Sequence, residues 1–270
     1  MGASIFADTH SNIWFNKCLQ TIKNSNSIAI SLGDIAAVDT TEFLKHRGVY
    51  SATWNFKKNG CTSKDINVRW FDELNINGWN KQVDTLNKIK RPLFLCMGNS
   101  DKLILKWYKN KLKKSAYLKV IDKISLIRIS DDNFLFIPYL SGTVKKHPTL
   151  PKDKLYVLSH YPPMPKGKPQ YVEVWNILEK ISKKVKEVIL FHGHMHPDYT
   201  YFYAISKFPN VKCFALKSTD SSSGAGSHNH LAVINGSLQF LELDNKKVNP
   251  KKLPKDYFLV DKHWNQFIET

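Results

Sequence analysis

Short apolar, β-branched runs recur along this chain, several of them ending in a small cluster of polar side chains able to do chemistry. Such runs at residues 4–8, 27–34, 92–98, 133–140, 155–160, 187–193 and 211–216 predict strands. Helix-like stretches at 12–23, 80–89, 103–115 and 171–186 lie between several of them, and this alternation predicts an α/β sheet covered by helices. Two strand-like runs flanking Ser130-Asp131-Asp132 predict one hairpin. Asn235-Gly236 predicts another, because this pair tolerates the positive φ angles of a tight two-residue turn. The sheet structure is therefore mixed. Residues 35–79, with scattered aromatics, are expected to form an ordered loop or insertion. The lysine- and proline-rich 245–256 reads as a linker, and 257–270 as a segment docking back on the domain. The expected organisation is one domain over 1–244 followed by this tail over 245–270.

At 270 residues, with 42% hydrophobic content, the chain is long enough to bury a substantial core. It has no run of about 18 apolar residues to span a bilayer and no basic-then-apolar secretory start, so a cytoplasmic protein without a membrane partner is expected. Four widely spaced cysteines, Cys18, Cys61, Cys96 and Cys213, suggest neither a disulfide framework nor a structural zinc site. A formal charge of +17 favours nucleotides, nucleic acids or other polyanions, although only Arg47, Arg69, Arg91 and Arg128 offer the bidentate fork that phosphate recognition often uses. Oligomeric state is not legible.

Five polar clusters lie at or just past the ends of predicted strands, where open α/β sheets place ligand-binding groups. They are Asp8-Thr9-His10, Gly33-Asp34, Gly98-Asn99-Ser100-Asp101, Ser159-His160-Tyr161 and Gly193-His194-Met195-His196. Extended chain puts residues i and i+2 on one side, so Asp8 with His10, and His194 with His196, each form a ready chelate. Two carboxylates, an amide oxygen and four imidazoles exceed the needs of one ion and suit two.

These five blocks resemble the pattern of the calcineurin-like metallophosphoesterase superfamily: D-x-H, G-D, G-N-[HC]-[DE], H, then G-H-x-H. The likeness runs from Ile5 to Pro197. It implies an α/β fold with a β-sandwich of two mixed sheets flanked by helices. It also implies two divalent metal ions, with manganese, iron, zinc, magnesium and nickel all compatible. Asp8, His10 and His196 would hold one ion, Asn99, His160 and His194 the other, and Asp34 would bridge them. The implied activity is phosphoester hydrolysis by a hydroxide shared between the ions, with Asn99, Ser100, Asp101 and His160 in catalytic positions and Ser100 and His228 contacting substrate.

Ser100 departs from that pattern, standing where many members carry a histidine that contacts phosphate and can help protonate the leaving group; a serine hydroxyl is a poor general acid. His192, His228 and His230 are the remaining candidates for that proton. Gly33-Asp34-Ile35-Ala36-Ala37-Val38-Asp39 lacks the substrate-binding arginine of the protein-phosphatase branch, which disfavours a phosphoprotein substrate. The preferred reading is a phosphodiesterase acting on a nucleotide or nucleic acid. The alternatives are a phosphomonoesterase or pyrophosphatase of small metabolites, or an inactive relative that binds nucleic acid through clusters such as Lys109, Lys111, Lys113 and Lys114, or Lys145 and Lys146.

Overall fold

The computed structural model describes residues 2–9, 12–25, 27–35, 68–139, 148–218, 229–254 and 268–269. Strands β1 (Gly2–Phe6), β2 (Ser27–Ser31), β3 (Leu93–Cys96) and β4 (Leu118–Ile121) run parallel in one sheet. Helices α1 (Asn12–Lys23), α2 (Val68–Ile89) and α3 (Asn99–Tyr108) follow the first three in turn. The antiparallel β11 (Leu231–Asn235), β12 (Ser237–Leu241) and β13 (Lys247–Val248) extend this sheet beyond β1. The Asn235-Gly236 hairpin forms as expected, with Gly236 at φ 74°.

The second sheet contains β5 (Ser125–Ile129) and β6 (Asp132–Ile137), joined by the predicted hairpin, then β7 (Lys154–Ser159), β8 (Glu187–His192) and β10 (Phe208–Ala215), parallel across the middle. Helix α4 (Pro169–Ser182) connects β7 to β8. Strand β9 (Tyr201–Ile205) pairs antiparallel with β10 and receives β14 (Lys251–Lys252) and β15 (Ile268–Glu269) along its other side.

Three apolar clusters account for the layering. Ile5, Ile30, Cys96, Phe134, Phe136, Tyr156, Leu158 and Phe191 pack between the sheets. Phe6, Phe15, Leu19, Val83 and Leu95 bind α1 and α2 to the outer face of the first sheet, and Leu155, Leu178, Val188 and Leu190 bind α4 to that of the second. Central strands are thus covered on both faces, which explains their continuous apolar character: β1 is buried at all five positions. The fold is α/β, two mixed sheets face to face with helices outside, as the resemblance implies.

Two local expectations need correction. Helix α2 begins at Val68, within the stretch read as an irregular insertion, so the described part of that stretch is mostly helix; residues 36–67 lie outside the described residues. The presumed linker carries β13 and β14, one on each sheet. Among the described residues no helix is long and apolar enough to cross a membrane.

Candidate metal centre

All the predicted site residues that are described leave from the carboxyl ends of strands. The first sheet supplies oxygen donors: Asp8 after β1, Asp34 after β2 and Asn99 after β3. The second supplies imidazoles: His160 after β7, then His194 and His196 after β8. His10 and His228 lie outside the described residues.

The chain turns sharply to present these groups. Asp8, Asp34, His194 and His196 have φ of 44°, 49°, 67° and 48°. Left-handed backbone at a residue other than glycine costs about 1–3 kcal/mol and persists where the surroundings over-determine it. Here hydrogen bonds and close packing do so. The Asp34 amide N–H donates to Asp101 Oδ2 at 2.7 Å, and the Gly98 N–H donates to the same oxygen at 3.0 Å. Asp34 accepts from the Ser100 amide at 2.8 Å through Oδ1 and from the Ser100 hydroxyl at 3.1 Å through Oδ2. Asp8 Oδ2 accepts from the His194 amide at 2.8 Å, and the buried Asn229 donates to the Ala7 carbonyl just before it at 2.6 Å. A Cβ on Gly98 would overlap the Asp34 carboxylate, and one on Gly193 that of Asp8, so glycine is required at both by close approach.

His160 is fully buried, and its hydrogen bonds fix its tautomer. Nδ1 lies 3.0 Å from the Leu32 carbonyl, which only accepts, so this nitrogen carries the hydrogen and a neutral ring keeps a lone pair on Nε2. That Nε2 faces Asn99 Oδ1 at 3.0 Å, His194 Nδ1 at 3.2 Å and Asp34 Oδ2 at 3.5 Å. Acceptors facing acceptors are tolerable only with a proton or a cation among them. Donor atoms bound about 2.1 Å from one first-row ion sit about 3.0–4.2 Å apart, so the distances from His160 Nε2 suit a shared divalent metal and the donor types match one. Asp8 Oδ1 lies close by, 3.5 Å from His160 Nδ1 and 3.9 Å from His196 Nε2.

The electrostatics of the protein alone carry the same mark. Burial drives the Asp8 carboxyl up to about 7, with His160 opposing the rise and Asp34 adding to it. Burial disfavours charge on His160 too, yet Asp34 and Asp8 outweigh it and raise that ring to about 9. Burial, then the charge of His160, pushes His194 down to about 2. The cluster therefore shares one positive charge among buried carboxylates, a role that a bound cation would take over.

Ser100 and Asp101, expected to contact substrate or reacting atoms, hold Asp34 and Gly98 by hydrogen bonds, and Ser100 Oγ also accepts from Asn99 Nδ2 at 3.4 Å. His192 is turned away, with Nδ1 near the Gly193 carbonyl at 3.2 Å and Nε2 accepting from the Tyr203 hydroxyl at 2.7 Å. His230 is buried beside Thr200 Oγ1 at 3.1 Å. Two groups have no role in the sequence pattern: Tyr161, whose hydroxyl donates to Asn99 Oδ1 at 2.9 Å, and the carbonyl of Leu32. No residue pattern advertises a backbone carbonyl; the position of Tyr161 next to His160 was the available signal for the former.

Burial lowers the His192 ring to about 4. A base held below its unfolded value near 6.5 stabilises the fold above pH 6.5 and loses that contribution as the pH falls toward 4, up to about 3 kcal/mol. His192→Gln is expected to flatten the decline of the thermal midpoint between pH 6.5 and 4; an unchanged slope would contradict this.

No family profile and no curated protein matches the chain. Among solved structures, one at 12% identity and TM-score 0.49 aligns with 92% of this chain and 98% of its own. A candidate 5'-nucleotidase from Staphylococcus aureus, in complex with alpha-ketoglutarate, aligns at 11% identity and TM-score 0.42 over 98% of this chain. The NAD nucleotidase NadN of Haemophilus influenzae aligns at 11% identity and TM-score 0.37 over 95% of it. This chain spans 57% and 54% of the lengths of those two nucleotidase structures.

Proposed function

We propose that this chain is a metal-dependent phosphoesterase of the calcineurin-like kind, hydrolysing a phosphodiester of a nucleotide or nucleic acid. The convergence of Asp34 Oδ2, Asn99 Oδ1, His160 Nε2 and His194 Nδ1 carries the reading. In it, Asn99, His160 and His194 would hold one divalent ion and Asp8, His10 and His196 a second, with Asp34 serving both. Bound ions would acidify a water toward neutral pH and offset negative charge on the phosphoryl oxygens. The protein's part is to keep the donors aimed. Leu32 holds His160 with Nε2 inward, Ser100 grips both Asp34 oxygens, and the His194 amide restrains Asp8. The catalytic domain of this reading is 1–244; of the tail, β13, β14 and β15 pair along the sheet edges, and residues 255–267 lie outside the described residues.

The diester preference rests on the missing phosphatase arginine, on Ser100 in place of the motif histidine and on the basic charge. Ser100 is a weak acid bonded to Asp34, and both ring nitrogens of His192 are engaged, so neither is placed to protonate a leaving group. The nucleic-acid-binding alternative draws less support, because Lys113 is bound to Asp84 at 2.7 Å and Lys145 and Lys146 lie outside the described residues. Purified protein is expected to contain a first-row metal by elemental analysis and to turn over bis-nitrophenyl phosphate faster than mono-nitrophenyl phosphate. Chelation should abolish turnover and manganese restore it. A reversed preference would move the assignment to a monoesterase, and activity indifferent to chelation would overturn the metal mechanism.

A further inference from the structure

One side chain without an assigned role touches all three residues given to a single ion. The Tyr161 hydroxyl donates to Asn99 Oδ1 at 2.9 Å. Its ring stands edge-on to His160 with centroids 4.9 Å apart and packs on His194 at 4.0 Å. Tyr139 at 5.5 Å and Tyr171 at 5.2 Å brace that ring, and Tyr161 as a whole is 6% exposed.

Asn99 needs such a partner. A carboxamide is a neutral, weak metal donor, and a half-turn of its side chain exchanges oxygen for NH2, which cannot ligate. With the phenol donating to one lone pair of Oδ1, the second lone pair is left for the cluster, and Nδ2 falls 3.4 Å from Ser100 Oγ.

We propose that Tyr161 is a positioning residue: its hydroxyl fixes the Asn99 carboxamide oxygen-inward while its ring sets His194 against His160, so that one of the two ion positions depends on it. This rests on the two-ion reading above. It predicts an unequal effect on the two ions, because the described contacts of Tyr161 with donor residues fall on the Asn99–His160–His194 set.

Tyr161→Phe removes the hydroxyl and keeps the ring. Manganese titrated calorimetrically into the chelator-stripped full chain should reveal two sites in the parent. In Tyr161→Phe one site should weaken about tenfold, as loss of an outer hydrogen bond to a ligand typically causes, and the other should be unchanged. The rate should return to the parental value at raised manganese, and the stripped proteins should unfold at the same temperature. Tyr161→Leu, which also removes the ring packing, should weaken the same site further. Two sites in the parent with unaltered affinities in Tyr161→Phe would overturn the role of Tyr161 and leave the metal reading standing. Equal loss at both sites with a lowered unfolding temperature in chelator would also overturn it, assigning the residue to packing alone. A parent that takes up no manganese would overturn the metal reading and this inference together.

Discussion

Asp34→Asn is expected to lower the rate of phosphodiester hydrolysis by at least about a thousandfold, or about 4 kcal/mol of transition-state stabilisation, while leaving the fold intact. Asparagine retains an oxygen able to accept from the Ser100 amide, as Asp34 Oδ1 does at 2.8 Å, so the local backbone keeps its support. What disappears is a negative charge at a carboxylate 2% exposed, beside the equally buried Asp8 and Asp101. The donor group of Asp34, His160 and His194 loses its one anionic member, and metal content should drop with activity. Without metal the sign reverses. Relief of repulsion among buried carboxylates should let the chelated variant unfold at or above the parental temperature, the pattern of a site that sacrifices stability for chemistry. A variant with parental metal content and turnover would refute the placement of Asp34 at the centre.

Gly193→Ala tests the frame rather than a ligand, and its effect should be nearly as large. The added methyl would overlap Asp8 Oδ2 and press on the Ala7 side chain, so either the end of β1 or the turn after β8 must move. Movement breaks the His194 N–H bond to Asp8 and displaces a carboxylate and an imidazole at once. A misplacement near 1 Å costs about a hundredfold in rate, and overpacking typically costs about 1–3 kcal/mol in stability. Gly167→Ala is the control: its backbone is at φ 108°, but its methyl would meet only Tyr171, at ordinary contact distance. It should lose stability without a comparable loss of rate. Parental turnover in Gly193→Ala would show that this close approach is not needed.

The strands were legible because burial on both faces writes an uninterrupted apolar run, and five polar clusters at their ends announced where side chains would gather. Strand β9 escaped notice: Tyr201-Phe202-Tyr203 is aromatic rather than β-branched, and its alternation of buried and exposed positions is short. The early start of α2 was hidden among scattered aromatics, where Asn75 and Gly78 interrupt the apolar period; Asn75 is nevertheless 2% exposed inside the helix. Strands of two residues such as β13 and β14 are too short to impose a period, and lysine-rich composition masked them. At the site, residue types were legible and directions were not. Ser100 reads as a phosphate contact and is found holding Asp34, because sequence order does not reveal which way a hydroxyl turns.

The division of the described donors, oxygens from one sheet and imidazoles from the other, bears on how the two halves of the sandwich are joined. Any cation seated in the cleft would act as a rivet between layers joined by apolar packing and a few hydrogen bonds, such as those of His160 to Leu32 and of His194 to Asp8, and sliding of one layer over the other would tear its coordination shell. Loading with metal should accordingly toughen the whole body against heat and proteases, far beyond the few loops that grip the ion.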